Sequence, residues 1–468
     1  MRRLRSGRLL ISHRADTAIL ALGDEFYAPV AAADFPETTL RFRNDRAAAD
    51  VGLDGLSTSD WLRHFGRFEP LPENLPQPLA LAYHGHQFRS YNPEIGDGRG
   101  FLFAQMRDAR GRLMDLGTKG SGRTPYSRTG DGRLTLKGGV REILATEMLE
   151  ALGVETSRTL SLVETGEALQ RGDEPSPTRS AVMVRLSHSH IRYGTFQRLA
   201  YQKDAENMER LIDYCLLHFV GEPNAEDRYA ALMNHAVSGA ARLAASYRAA
   251  GFVHGVLNTD NINITGESFD YGPWRFAPRW DDGFTAAYFD QFGLYSFGRQ
   301  AEALQWNVHQ LALAMRTVAE ADSLIPALKA FPDRYEAELA KAMLARLGVQ
   351  PQGGEADGSL LRAWETGLAE SDIEPGRAFF DWRGGTPRRD ANVYDRAAFA
   401  PFREGVAAFD AVPGATAHDY WSDAVPCSML IDEMEALWTP IAERDDWKPL
   451  HEKIEAIRRM GDAMAKTR

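Results

Sequence analysis

The stretch GFVHGVLNTDNINITGESFDYGPW, Gly251 to Trp274, follows a long amphipathic pattern, RYAALMNHAVSGAARLAASYRAAG, that reads as a helix closed by Gly251. Within it, Asn258-Thr259-Asp260-Asn261 has the composition of a polar turn, and such runs commonly cap or turn the chain through side-chain hydrogen bonds. Taken alone it is a loop. Its meaning depends on what surrounds it.

Outward from this loop, the bulk properties narrow the field. The chain has 468 residues, 44% hydrophobic and 25% charged, with a net charge of -11. That length suits two or three domains or one large two-lobed unit. The acidic balance argues against a general nucleic-acid or anionic-membrane binder. Two distant cysteines, Cys215 and Cys427, support neither a disulfide framework nor a zinc site, and suggest a reducing, bacterial-type cytosol. The basic start, MRRLRSGRLLISHRAD, has too short an apolar run for a secretory signal, and no run approaches the roughly 20 apolar residues of a membrane span.

Residues 1–75 read as an irregular N-terminal extension rich in prolines, packed on the core that follows. Phe101, Phe103 and Gln105 alternate, the turn RDARGR follows, and LMDLGTK resumes, which predicts a hairpin behind the glycine-rich turn Gly96-Asp97-Gly98-Arg99-Gly100. Val140, Ile143, Leu144, Met148 and Leu152 share a helical face ended by Gly153. TSRTLSLVETGE and SAVMVRLSHSHIRYGTF read as extended, whereas the chain beyond Tyr201 is helical, with GVQPQGGEADGS as an exposed loop. The fold expected is α+β and bilobal: a β-rich lobe over 76–195 with a glutamate-bearing helix, and a helical lobe over 196–468 that includes a C-terminal extension.

GTKGSGRTPYSRTGDGRL, Gly117 to Leu134, imitates a phosphate-binding P-loop with Arg123 in the lysine position. A P-loop needs a helix immediately after it, and Gly130 and Gly132 would break one. A different order of parts fits better. A glycine-rich turn, then Lys119 at a strand end, then Glu142 on the next helix is the first-lobe logic of protein kinases. The opening stretch supplies the second lobe: His254 through Asn261 fits the frame H-R-D-L-x-x-x-N, and Asp270-Tyr271-Gly272 takes the place of D-F-G. Asn261 and Asp270 are then an oxygen pair suited to Mg²⁺. One position departs from the pattern. Val256 stands where kinases carry the catalytic aspartate, which leaves Asp260 as the nearby carboxylate able to act as base.

Tyr83-His-Gly-His-Gln-Phe88, Gly96-Asp-Gly-Arg99, Thr124-Pro-Tyr-Ser-Arg128, Gly130-Asp-Gly-Arg133, Ser189-His-Ile-Arg192 and His254-Gly through Pro273 together resemble the selenoprotein O family, a pseudokinase-fold group that transfers AMP to proteins. The resemblance is dense from Tyr83 to Gln300 and weak beyond. It implies ATP flipped relative to kinases, with the α-phosphate facing the acceptor. It implies nucleotide contacts by Gly96, Gly98, Arg99, Lys119, Asp131, Gly132, Arg185 and Arg192. Glu142 would steady Lys119, Mg²⁺ or Mn²⁺ would sit on Asn261 and Asp270, and Asp260 would be the base. The implied acceptors are Ser, Thr or Tyr hydroxyls of proteins, the chain itself among them, with no nucleic-acid or membrane partner and the oligomeric state unread. A UTP-dependent transferase and a catalytically silent nucleotide-binding scaffold are the competing expectations. Family members often carry a redox cysteine in the tail; RRMGDAMAKTR has none, nor does WDDGFTAAYFDQFGLYSF. His188 and His190 form a His-x-His for which packing is expected over metal binding, and His84 and His86 are assigned to loop hydrogen bonds and packing.

Overall fold

The hairpin read from Phe101, Phe103 and Gln105 lies in the middle of a nine-stranded antiparallel sheet. The structure, a computed structural model, describes residues 13–172, 174–388 and 392–465; most of the basic N-terminal stretch and the last three residues of the tail lie outside them. In chain order the strands before residue 190 are β1 (Arg14–Asp16), β2 (Tyr27–Pro29), β3 (Thr39–Arg43), β4 (Leu79–Leu81), β5 (Gly85–Gln87), β6 (Ser90–Asn92), β7 (Leu102–Arg107), β8 (Leu113–Lys119), β9 (Leu134–Thr135), β10 (Arg158–Leu169) and β11 (Thr178–Ser187). The sheet runs β2-β4-β7-β8-β11-β10-β3, with β1 added beside β7 and β9 beside β11, while β5 and β6 form a separate small hairpin.

The sheet is apolar on both faces, so each face needs a cover. Helices α1 (Asp45–Asp50) and α2 (Thr58–Phe65) bring Ala47, Trp61 and Phe65 onto the face that carries Phe101, Phe103, Val182 and Val184. Helix α3 (Leu136–Leu152) places Val140, Ile143 and Leu144 on the other, beside Leu102, Ala181 and Met183. Thr135 starts α3 by accepting a hydrogen bond from the Gly138 amide, and Gly153 closes it. The segment expected to be irregular is therefore structural: it supplies three strands and both helices of one sheet cover. Its strands are three to five residues long, and each is completed by a partner far along the chain, as in Ser161 opposite Arg43.

The strand expected through IRYGTF ends at Ser187. The Arg192 amide donates to the Thr195 hydroxyl at 3.3 Å, and the chain turns into α4 (Tyr193–Gln202). Beyond it lie α5 (Ala205–Cys215) and α6 (Arg228–Ala250), the predicted long helix, which Asp227 caps by accepting from the Tyr229 and Ala230 amides. Gly239 of α6 faces Gly266 so closely that a Cβ on it would lie 3.1 Å from the Gly266 Cα, and this seats the Gly251–Trp274 loop directly on the helix. Helix α7 (Gln300–Met315) follows. GEADGS, expected as loop, instead opens a helix over Gly354–Ala369, where Leu360, Leu361 and Trp364 are buried. The C-terminal helix Lys448–Ala465 crosses the back of α3: Arg458 pairs with Glu147 at 2.7 Å, and Gly461 meets Ala151. No helix among the described residues is long and apolar enough to cross a membrane.

Candidate active site

Lys119 ends β8, and Glu142 projects from the middle of α3. Their side chains meet at 2.5 Å, both buried. Glu142 is only 1% exposed, because its partner is a buried lysine of the sheet rather than water. Arg185 on β11 reaches the same place, 3.5 Å from Glu142 Oε1 and 3.0 Å from Asp270 Oδ1. Arg192, at the start of α4, donates to Asp270 Oδ2 at 2.8 Å and to the Asp260 carbonyl at 2.7 Å. Its guanidinium lies over the rings of Tyr83 and Phe269, at 4.5 and 4.6 Å. Lys119 Nζ is 3.7 Å from Asp270 Oδ1.

Three cations thus converge on Asp270, itself in the left-handed region at φ 65°. Burial alone would raise its carboxyl, but Arg185, Arg192 and Lys119 hold it well below the usual carboxylate range. Burial lowers Lys119, with Glu142 opposing. His190 backs the floor: its Nδ1 lies 3.2 Å from Asp115, and its Nε2 accepts from Arg185 Nε at 3.3 Å. The His188 ring turns instead to Phe219 at 5.6 Å, so the His-x-His divides between two tasks.

Asp260 sits in a short turn, Thr259–Asn261, pressed against the β5–β6 hairpin. Only glycine fits at position 85, since a Cβ there would lie 2.8 Å from Asp260 Oδ1. The His86 amide donates to Thr259 Oγ1 at 2.7 Å, and Thr259 donates onward to Gln197 Oε1 at 2.6 Å, while the Gln197 amide group meets His86 Nδ1 at 2.8 Å. The Phe88 amide donates to Asn258 Oδ1 at 2.9 Å. The motif Tyr83 to Phe88, whose histidines were expected to serve loop hydrogen bonds and packing, does so at one place: it grips the loop that carries Asp260. Asp260 Oδ1 is buried without a hydrogen-bond partner among the described residues, and burial pushes its carboxyl up to about 6. Val256 lines the cleft with no proton acceptor of its own.

The residues Gly122 to Arg133 form the rim, with no helix after Thr124, and this rules out a P-loop. Thr124 Oγ1 donates to the Asp97 carbonyl at 2.6 Å, Ser127 donates to the Gly98 carbonyl, and Tyr126 covers Gly96. The loop is latched onto the glycine-rich turn. Asp131 is held by Arg171 at 2.8 and 3.1 Å.

Floor, loop and rim enclose a cleft of about 780 Å³. It is lined by Gly96, Gly98, Arg99, Lys119, Asp131, Gly132, Arg185, Arg192, Asp260, Asn261 and Asp270, with Glu142 behind Lys119. Sequence reasoning missed Asp97, 3.5 Å from Arg192, and Arg171. The glycines flanking Asp97 drew attention to backbone rather than side chain, and Arg171 comes from a turn with no motif of its own.

Asn261 donates its Nδ2 to the Val256 carbonyl at 3.0 Å, which turns its amide oxygen to the other side. That oxygen and the Asp270 carboxylate are hard donors of the kind Mg²⁺ or Mn²⁺ takes, and the buried, unpartnered Asp260 Oδ1 marks an unmet electrostatic demand nearby. The described residues contain no cluster of three or more His, Cys, Asp or Glu able to hold a metal, so an ion on this pair would take the rest of its shell from water or phosphate oxygens.

A strand lysine held by a helix glutamate, a His254-to-Asn261 loop and a following aspartate, set between a sheet lobe and a helical lobe, define a protein of protein-kinase-like fold. More narrowly, the chain belongs to the protein adenylyltransferase SelO family, whose model matches residues 10–390. Relatives named protein nucleotidyltransferase YdiU include one from Gloeobacter violaceus, 44% identical over 464 residues and 95% of each chain. One from Trichormus variabilis is 40% identical over 97% of each chain, and one from Vibrio cholerae is 37% identical over 76% of this chain and 71% of that one. Among solved structures, ROP2 from Toxoplasma gondii, described as having a protein-kinase fold and no enzymatic activity, covers 79% of this chain and 92% of its own at 11% identity and a TM-score of 0.27.

Proposed function

We propose that the chain transfers AMP from ATP to Ser, Thr or Tyr hydroxyls of proteins, itself included, with ATP seated phosphates-inward. The observation that carries this reading is the convergence of Lys119, Arg185 and Arg192 at the cleft floor together with Val256 in place of the usual catalytic aspartate. Cations buried that deeply suit the two terminal phosphates, and the arginine forks match phosphate geometry. The phosphorus nearest the ribose is then the one presented toward Asp260.

The acceptor oxygen attacks the α-phosphorus, the bond from that phosphorus to the α–β bridging oxygen breaks, and pyrophosphate leaves with its charge held by Arg185, Arg192 and Lys119. Asp260 takes the acceptor proton. A carboxyl held at about 6 is mostly ionised at neutral pH yet remains a competent base. A divalent ion on Asn261 and Asp270 would neutralise phosphate charge. Membership of a family whose relatives are named nucleotidyltransferases supports the same class of chemistry.

Parallel incubation with α-labelled and γ-labelled ATP tests it. Label should enter protein from the α position alone, and competition with unlabelled UTP, GTP and CTP should leave ATP preferred. Label from the γ position alone would show a kinase. No label from either position, with ATP bound, would show a silent scaffold.

A further inference from the structure

The large aromatic side chains exposed among the described residues are Phe88, Tyr201, Tyr288, Phe289 and Phe292. They are not scattered. Phe88 follows the β5–β6 hairpin strand that grips the Asp260 loop, and its ring lies 5.8 Å from Phe289, which lies 5.1 Å from Tyr288. Tyr201 stacks at 5.5 Å on Tyr91 of the same hairpin. Phe292, 93% exposed, and Tyr288, 87% exposed, stand on the same loop as Phe289, whose ring meets Phe88.

This exposure is built in. The buried Asp290 carboxylate accepts from the Leu294 and Tyr295 amides, both at 2.8 Å, and so fixes the loop. Asn258 Oδ1, two residues before Asp260, accepts from both the Phe88 amide and the Tyr295 hydroxyl, at 2.9 and 2.8 Å. The aromatic shelf is thus tied through one side chain to the turn that carries the proposed base. Exposed apolar surface of this kind marks an interaction site, and aromatic residues dominate the energetics of such sites.

We infer that this shelf docks the protein acceptor, as an extended segment whose apolar or aromatic side chains flank the modified hydroxyl. The inference rests on the transfer reading above. Gln87, next to Phe88, and Asn258, which ties the shelf down, both line the cleft with Asp260, and that continuity favours an acceptor segment over other occupants. Asp281 and Asp282 precede the shelf, and the chain carries a net charge of -11, which disfavours an anionic lipid surface.

The test uses the full chain and a set of synthetic peptides with a central Ser, Thr or Tyr flanked by Phe, Leu, Ala, Lys or Asp, with α-labelled ATP as donor. Wild type should favour Phe and Leu flanks over Asp by about tenfold, which corresponds to burying one apolar side chain. The Tyr288→Ser/Phe289→Ser/Phe292→Ser variant should lose that preference through a raised peptide KM while ATP binding stays unchanged. Phe292→Ser alone, a change at an almost fully exposed site, should lose part of it and guards against misfolding of the triple variant. Equal flanks in wild type, or a preference that survives in the variant, overturn the inference. So does a preference untouched in the variant while binding to phosphatidylglycerol vesicles, or self-association in sedimentation, is lost. If wild type binds ATP and labels no peptide or protein, the transfer reading falls and the shelf with it; transfer without flank preference removes the shelf alone.

Discussion

The segment Glu267 to Asp270 separates two polar hollows, and they treat charge in opposite ways. In front lies the cleft, where seven cations, Arg99, Lys119, Arg128, Arg133, Arg171, Arg185 and Arg192, face four carboxylates. Behind lies a hollow of about 430 Å³ where Arg110, Arg112, Arg158 and His188 face Asp50, Asp108, Glu150, Glu155 and Glu267. Asp270, in front, has three cations within reach and stays ionised. Glu267, behind, accepts from the Ser187 hydroxyl and the His188 amide, while Arg158 is taken by Asp50 and Arg112 by Asp108. Burial pushes Glu267 up to about 7. Burial alone therefore does not decide the charge of a carboxyl here; the committed partners do. The same accounting favours the front over the back for the proposed polyphosphate, which the back would repel.

The strongest way to break the contrast is to remove its pivot. Asp270→Ala leaves three buried cations without their shared carboxylate and removes a proposed metal ligand. Transfer of α-label should fall to background, and urea melts should show a loss of about 3–5 kcal/mol, as for other buried pairs broken on one side. Stability unchanged from wild type would show that the three cations do not depend on Asp270. Next in size is Gly85→Ala. The added Cβ displaces Asp260, and misplacing a reacting group by about 1 Å costs on the order of 10²-fold. The kcat should fall by that factor with KM for ATP unchanged; a change in KM alone would mean that the hairpin shapes the nucleotide site rather than the base.

How much of this was legible follows from how far each signal reaches along the chain. The β7–β8 hairpin, Lys119, α3 and the loop from His254 to Asp270 carry local periodicity and a fixed order of parts, so the two lobes and the positions of Lys119, Glu142, Asp260, Asn261 and Asp270 could be read from the residues, whereas Asp131, Gly132, Arg185 and Arg192 entered only with the family resemblance. The N-terminal strands could not, because three residues such as Arg14–Asp16 become a strand only beside Met106 and Arg107. The turn of Arg192 into a helix was hidden by the apolar run before it, and the capping hydrogen bond with Thr195 is visible only in space. GEADGS reads as loop by composition, and burial of Trp364 two turns later makes it helix. Asp131 and Arg171 lie 40 residues apart, with nothing in either neighbourhood pointing to the other.

That rim pair yields a smaller effect. Arg171→Ala frees Asp131 at a partly exposed site, where ion pairs contribute about 0–1 kcal/mol, so melting should hardly move. Loss of one cation from the cleft mouth should raise KM for ATP about three- to tenfold, more at low salt than at high salt, with kcat nearly unchanged. A salt-independent KM would place Arg171 outside the field that the nucleotide meets.

The subtlest test lies behind the cleft. Glu267 binds its proton more tightly folded, at about 7, than the ordinary 4.5 of an unfolded glutamate. Below 4.5 both states are protonated and the neutral carboxyl fits its site. As pH rises from 4.5 through 7 the unfolded chain ionises first, so that stabilisation is progressively lost. His188 and His235, lowered to about 4 by burial, act in the opposite sense over 6.5 down to 4. They are present in both proteins and cancel in a comparison. Glu267→Gln keeps an oxygen to accept from Ser187 and His188 but cannot ionise. Melting temperatures measured from pH 5 to pH 8 should therefore coincide near pH 5 and diverge above it, with the variant the more stable by a few degrees at pH 8. Parallel curves would mean that Arg112 or Arg158 turns to Glu267 in solution, and the back hollow would then follow the rule of the front.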